Sequence, residues 1–129
     1  MIEVAVVFDN LGEAILWMDG SDSAYVPDSR GLWLFLEENK GRLNGIAHTH
    51  PFSDDPLPSQ VDITTWAAIE AGLGMRLIWP IVGRKKTRYF IWRGPDKHNY
   101  VEIILPKEHS VLEEALRRSI ETKKEASDG

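Results

Sequence analysis

His48 and His50 lie in the run Gly45-Ile-Ala-His-Thr-His-Pro51. Side chains alternate faces along a strand, so the two imidazoles point the same way and Thr49 points the other. A pair set like this can share one ion, and neutral imidazole is a common zinc ligand at about 2.0–2.1 Å. A lone His-x-His says little, because surface strands carry such pairs by chance. Downstream, Ser59 opens a predicted helix and Asp62 falls in its first turn. A carboxylate folded back onto the strand end completes a two-histidine, one-carboxylate set. The fourth tetrahedral position is then open to water, as a catalytic zinc site requires. Ser59-x-x-Asp62 also has an ordinary reading as a capping box with a shorter acid in its last position. The two readings are compatible: Ser59 can cap through its backbone position while its hydroxyl faces the metal.

The elements around these residues follow from periodicity. Ile2 to Phe8 is Val-rich and reads as a strand, Asp9-Asn-Leu-Gly12 as a turn, and Glu13 to Met18 as a second strand. A short third strand is predicted over Ser23 to Val26, ahead of Pro27. The spacing of Leu32, Trp33, Phe35 and Leu36 predicts a helix over Ser29 to Asn39. Leu43 to Ala47 is a strand leading into His48, and Pro51 to Pro58 is a loop with three prolines. The helix opened by Ser59 runs to about Ala71, with Gly72 and Gly74 ending it. Strands are predicted at Arg76 to Val82, Arg88 to Trp92 and Tyr100 to Leu105. An amphipathic helix follows from Ser110 to about Lys123, and residues from about 124 to 129 read as a flexible tail. This order implies one α/β (α+β) domain over 1–129, with a mixed, mainly antiparallel sheet flanked by helices.

Composition narrows the function. A chain of 129 residues, 43% of them apolar, can bury a core without staples. The net charge of −5 lacks the basic footprint of a nucleic-acid binder. The basic run Arg84-Lys-Lys-Thr-Arg88 reads as a solvated hairpin turn, and Asp54 and Asp55 as solvated loop acids. Cysteine is absent, which excludes disulfides, thiolate ligands and a cysteine nucleophile. That absence, with no signal peptide expected ahead of the first strand and no apolar run near the ~20 residues a bilayer demands, makes a cytoplasmic protein with no membrane contact the expectation. His98 and His109 read as ordinary surface residues.

Gly45-Ile-Ala-His-Thr-His-Pro51 together with Pro58-Ser-Gln-Val-Asp62 resembles the JAMM (MPN+) metalloprotease motif, which reads His-x-His-Pro, a short loop, then Ser-x-x-Asp. The resemblance is strong over these segments and extends through the element order of about residues 13–105. It implies the curved-sheet MPN/JAB architecture, which is cytidine-deaminase-like. It also implies one Zn²⁺ per chain held by His48, His50 and Asp62. Ser59 would donate a hydrogen bond to the oxyanion of the tetrahedral intermediate. The family further uses an upstream glutamate at the start of a strand to take the proton from water and pass it to the leaving amine. Glu13-Ala-Ile-Leu-Trp-Met-Asp-Gly20 matches that spacing, with Glu3 as rival because it too begins a strand.

The function so implied is zinc-dependent cleavage of isopeptide or peptide bonds after the C-terminal tail of a ubiquitin-like protein, a deubiquitinase-like activity in a compact, prokaryote-like enzyme. The substrate partner is that ubiquitin-like protein or its conjugates. Two alternatives stay open: a non-catalytic scaffold of the same fold, and a metallopeptidase releasing small conjugates from a sulfur-carrier protein. Oligomeric state is not legible in the sequence.

Overall fold

The computed structural model describes residues 2–19, 30–105 and 109–128. Its strands are β1 (Val4–Asp9), β2 (Ala14–Asp19), β3 (Leu43–Thr49), β4 (Trp79–Val82), β5 (Thr87–Trp92) and β6 (Tyr100–Ile103). Its helices are α1 (Arg30–Glu38), α2 (Gln60–Leu73) and α3 (Ser110–Asp128), with a 3-10 turn at Lys40–Arg42. The expected strand at Ser23 to Val26 lies outside the described residues.

All six residues of β1 are buried. A strand apolar on both faces needs neighbours on both sides and cover above and below. It takes them in a six-stranded sheet ordered β2-β1-β3-β4-β5-β6. Every pairing is antiparallel except β3 with β4. Two consecutive parallel strands require a crossover, and α2 is that crossover. One sheet face carries Val7, Ile46, Trp79, Ile81 and Phe90 against Leu32 and Leu36 of α1 and Trp66, Ile69 and Leu73 of α2. The other carries Val6, Phe8, Ala47 and Val82 against Val111, Leu112 and Ala115 of α3. The sequence-based expectation of a mixed, mainly antiparallel sheet with flanking helices therefore holds.

Two element boundaries and the setting of one residue differ from expectation. The strand expected from Arg76 begins only at Trp79, because the Leu77 amide donates to the Glu70 carboxylate at 2.8 Å instead of joining a ladder. Just beyond it, Ile78 bridges Gly45. A Cβ at Gly45 would sit 2.2 Å from the Ile78 carbonyl oxygen, so only glycine permits that approach. At the C-terminus, α3 continues to Asp128 where a flexible tail was expected. His109 is half-buried, with its ring against Phe8 at 5.0 Å between centroids, where a plain surface residue was expected.

Two buried polar groups tie the layers together. Thr49 Oγ1 accepts from the Val4 amide at 2.8 Å and lies 2.6 Å from Ser119 Oγ on α3. Glu70, 2% exposed, accepts from the Leu77 amide, the Trp79 indole (3.0 Å), Arg76 (3.0 Å) and the Tyr100 hydroxyl. It locks α2 to the segment entering β4. Glu70→Leu would leave the Trp79 and Leu77 donors buried without acceptors and should cost about 3–5 kcal/mol. Urea unfolding checks this; a loss under about 1 kcal/mol would show that the donors find other acceptors.

Candidate metal centre

The chain turns from strand to helix at the carboxyl end of β3, the place where open α/β sheets hold ligands. His48 is the second-last residue of β3 and is buried; His50 lies just past its end and is half-buried. His48 pairs with Ile81 of β4, and the His50 amide donates to the Val82 carbonyl at 2.8 Å. The strand end is thereby held by β4 on one side and β1 on the other.

Asp62 reaches the histidines because α2 presents one face to the sheet. Asp62, Trp66, Ile69 and Leu73 fall at spacings of four, three and four, the stripe of a helix packed on a core. Trp66 stacks on Trp79 with centroids 5.4 Å apart and planes 14° apart, and meets the His48 ring edge-on at 6.4 Å. That packing fixes the rotation of α2 and with it the direction of Asp62. Ser59 caps the helix: its hydroxyl accepts from the Asp62 amide at 3.1 Å, and its own amide donates to Asp62 Oδ2 at 2.8 Å. The capping reading of Ser59 thus applies to the hydroxyl oxygen itself and not only to the backbone. The hydroxyl proton is still available to donate.

Among the described residues one group of side chains could hold a metal ion, His48, His50 and Asp62, with ligand atoms within 4.8 Å of one another. The two Nε2 atoms are 3.0 Å apart; Asp62 Oδ1 lies 3.4 Å from His48 Nε2 and Oδ2 3.6 Å from His50 Nε2. Ligands of a tetrahedral ion at about 2.0–2.1 Å are separated by roughly 3.3 Å. The observed separations bracket that edge, and a nitrogen and oxygen donor set suits zinc. Burial pushes the Asp62 carboxyl upward, but hydrogen bonding and charge from His48 and His50, with the Ser59 amide, outweigh it. Asp62 is held far below the usual carboxylate range.

Of the five residues singled out in the sequence, the fold brings together His48, His50, Asp62 and Ser59. It does not bring Glu13. Asp9 Oδ1 accepts from the Leu11 and Glu13 amides, closing the turn at the end of β1, and the exposed Glu13 follows it. The Glu13 carbonyl accepts from Asp9, and Asp9 pairs with Leu43. Leu43 and His48 are five positions apart on β3, roughly 17 Å at about 3.3 Å per residue. Glu13 stands at the opposite end of the sheet.

Glu3, the rival, stands at the near end. Ala5 pairs with His48, and the Val4 amide still reaches Thr49 Oγ1. Glu3 lies two residues before Ala5, at the end of β1 nearest His48. It is the residue just before β1 begins. Glu3 is half-buried there. The signal that could have separated the two glutamates was the all-apolar run Val4 to Phe8, which marks a central strand able to lie against the histidine strand. Trp66, which orients Asp62, was also missed; its position four residues after Asp62 was the clue.

The sequence matches no protein-family model and no curated protein.

Purified chain loaded with Zn²⁺ should hold about one ion per chain by native mass spectrometry, and His48→Ala and Asp62→Ala should hold none. Ser59→Ala should keep the ion yet lose about 1 kcal/mol of stability as the cap is removed. Metal uptake by His48→Ala equal to that of the unchanged protein would refute this centre.

Proposed function

We propose that the chain is a JAMM-type zinc hydrolase that cleaves isopeptide or peptide bonds after the C-terminal tail of a ubiquitin-like protein. The observation that carries the reading is the convergence of His48 Nε2, His50 Nε2 and an Asp62 carboxylate at near-tetrahedral separations, at the junction of a strand end and a capped helix start. The order of these residue types along the chain, and their resemblance to the JAMM motif, direct the reading to amide hydrolysis.

In this reading His48, His50 and Asp62 hold the ion. Bound zinc would supply a Lewis acid that polarises a carbonyl and lowers the pKa of water toward ~7. The remaining work falls to side chains. Glu3, just ahead of β1 at the end nearest His48, takes the proton from the attacking water and returns it to the departing amine. Its position just before the strand next to β3, at the His48 end, favours it over Glu13 for this role. The Ser59 hydroxyl, accepting from the Asp62 amide, directs its free proton toward the developing oxyanion. His48 is kept in place by the Trp66 ring and the buried strand beneath it.

Glu3→Gln keeps the size and removes the base. It should lower turnover of a ubiquitin-like tail fusion by about 10²–10⁴ while zinc content stays at the unsubstituted level. Glu13→Gln should leave turnover unchanged. The measurement is cleavage followed by mass spectrometry, beside metal analysis of each variant. If Glu13→Gln abolished cleavage and Glu3→Gln did not, the assignment of the base would be reversed. If the zinc-loaded chain cleaved no tail fusion, the hydrolase reading would give way to a metal-holding scaffold.

A further inference from the structure

The loop that joins His50 to Ser59 is fastened along its length to the hairpin between β4 and β5. The Arg84 amide donates to the Ser53 carbonyl at 2.8 Å, and Pro51 and Pro56 are fully buried. A Cβ at Gly83 would lie 2.7 Å from Pro56 Cδ and 2.8 Å from the Ser53 carbonyl oxygen, so loop and hairpin are in direct contact there. Over this seam lies a set of charges. Asp54 pairs with Arg84 at 2.9 Å and Lys85 at 3.7 Å, and Asp55 pairs with Lys86 at 3.1 Å and with Arg88. The residues read from the sequence as solvated turn and solvated loop acids are thus partners of one another.

Arg88 is the hub. Its side chain is only 18% exposed, its Nε donates to Asp55 at 2.8 Å, and its Nη1 reaches Glu102 on β6. It also lies on the metal face. His48 pairs with Ile81, and Ile81 with Arg88, so the three form one row across the sheet. Single exposed ion pairs contribute little. A planar guanidinium holding one carboxylate on the loop and another on β6 is different, because its geometry is directional and partly sheltered from solvent.

We infer that Arg88 and Asp55 form a clamp that sets the metal loop, so that Arg88 is a positioning residue for His50 and for the start of α2. The inference rests on the metal-centre reading above. It predicts an effect on metal affinity from residues that touch no ligand.

The test uses Arg88→Gln, Asp55→Asn, their double variant and Arg88→Lys. Zinc affinity is measured by competition with a chromogenic chelator. Thermal unfolding of the metal-free forms and hydrogen exchange of amides 52–55 and 57 accompany it. Each neutralised single variant should bind zinc about tenfold more weakly, the double variant no more weakly than the singles, and Arg88→Lys, which keeps the charge but not the fork, should recover only a small part of the loss. Metal-free stability should barely move. Zinc affinity within about twofold of the unsubstituted chain in both singles would overturn the clamp. So would a loss of zinc matched by an equal loss of metal-free stability, which would assign Arg88 to folding alone. If the unsubstituted chain takes up no zinc, the metal-centre reading fails and exchange decides the clamp. Faster exchange of amides 52–55 and 57 in Arg88→Gln upholds it, and unchanged exchange overturns it.

Discussion

Glu70 is a buried carboxylate with donors from a backbone amide, an indole, a guanidinium and a phenol around it. A buried charge is tolerated only when it is well satisfied, and loss of a partner is costly. Helix α2 therefore cannot slide or rotate against β4 without stranding several polar groups at once. Two turns earlier on the same helix sits Asp62. Whatever fixes the screw position of Glu70 fixes that of Asp62, and the Trp66–Trp79 stack between them leaves no slack. The tyrosine partner feels the same environment: burial first, then the neighbouring Glu70 charge, push the Tyr100 hydroxyl well above its usual range, which keeps it a donor.

The candidate centre combines two elements with opposite needs. A strand end offers side chains at fixed alternation but leaves its last carbonyls and amides to be satisfied elsewhere. A helix start offers unsatisfied amides and a partial positive charge that favours an acid. Here Val82 takes the His50 amide, while Ser59 and Asp62 satisfy one another's amides. Asp62 is thus cap residue and candidate ligand together, with Oδ2 holding the Ser59 amide and Oδ1 nearest His48. The dual role explains how so short a motif carries both structural and chemical information.

Much of this was legible in the sequence because it is local. Alternation placed both histidines on one face, and Ser59-x-x-Asp62 announced a helix start with an acid in its first turn. What was not legible depended on pairing between distant segments. Glu13 has the right local setting, a glutamate at the head of a strand, but strand order decides which head lies near His48, and spacing along the chain cannot reveal order. Arg84 to Arg88 and Asp54-Asp55 likewise each look solvated when read alone. They become partners only because the crossover through α2 returns β4 alongside β3 and lays the hairpin against the loop. Glu70 is hidden for the same reason: on a helix it reads as a polar residue, and only the path of Leu77 and Trp79 gives it donors.

The spacing of the three candidate ligand atoms has a consequence for which ion such a site would take. Each ligand is held by contacts that do not involve a metal, and the separations already bracket a tetrahedral edge. Domains whose fold is built by the ion gain both stability and choosiness from it, since only the right ion completes the structure. A prearranged set of two imidazoles and one carboxylate with an open side exerts no such veto. Among divalent first-row ions such a set follows the general order of affinity, in which copper exceeds zinc. Occupancy of such a set would be governed by which ion the surroundings make available, so the identity of a bound metal would be a property of the compartment as much as of the protein.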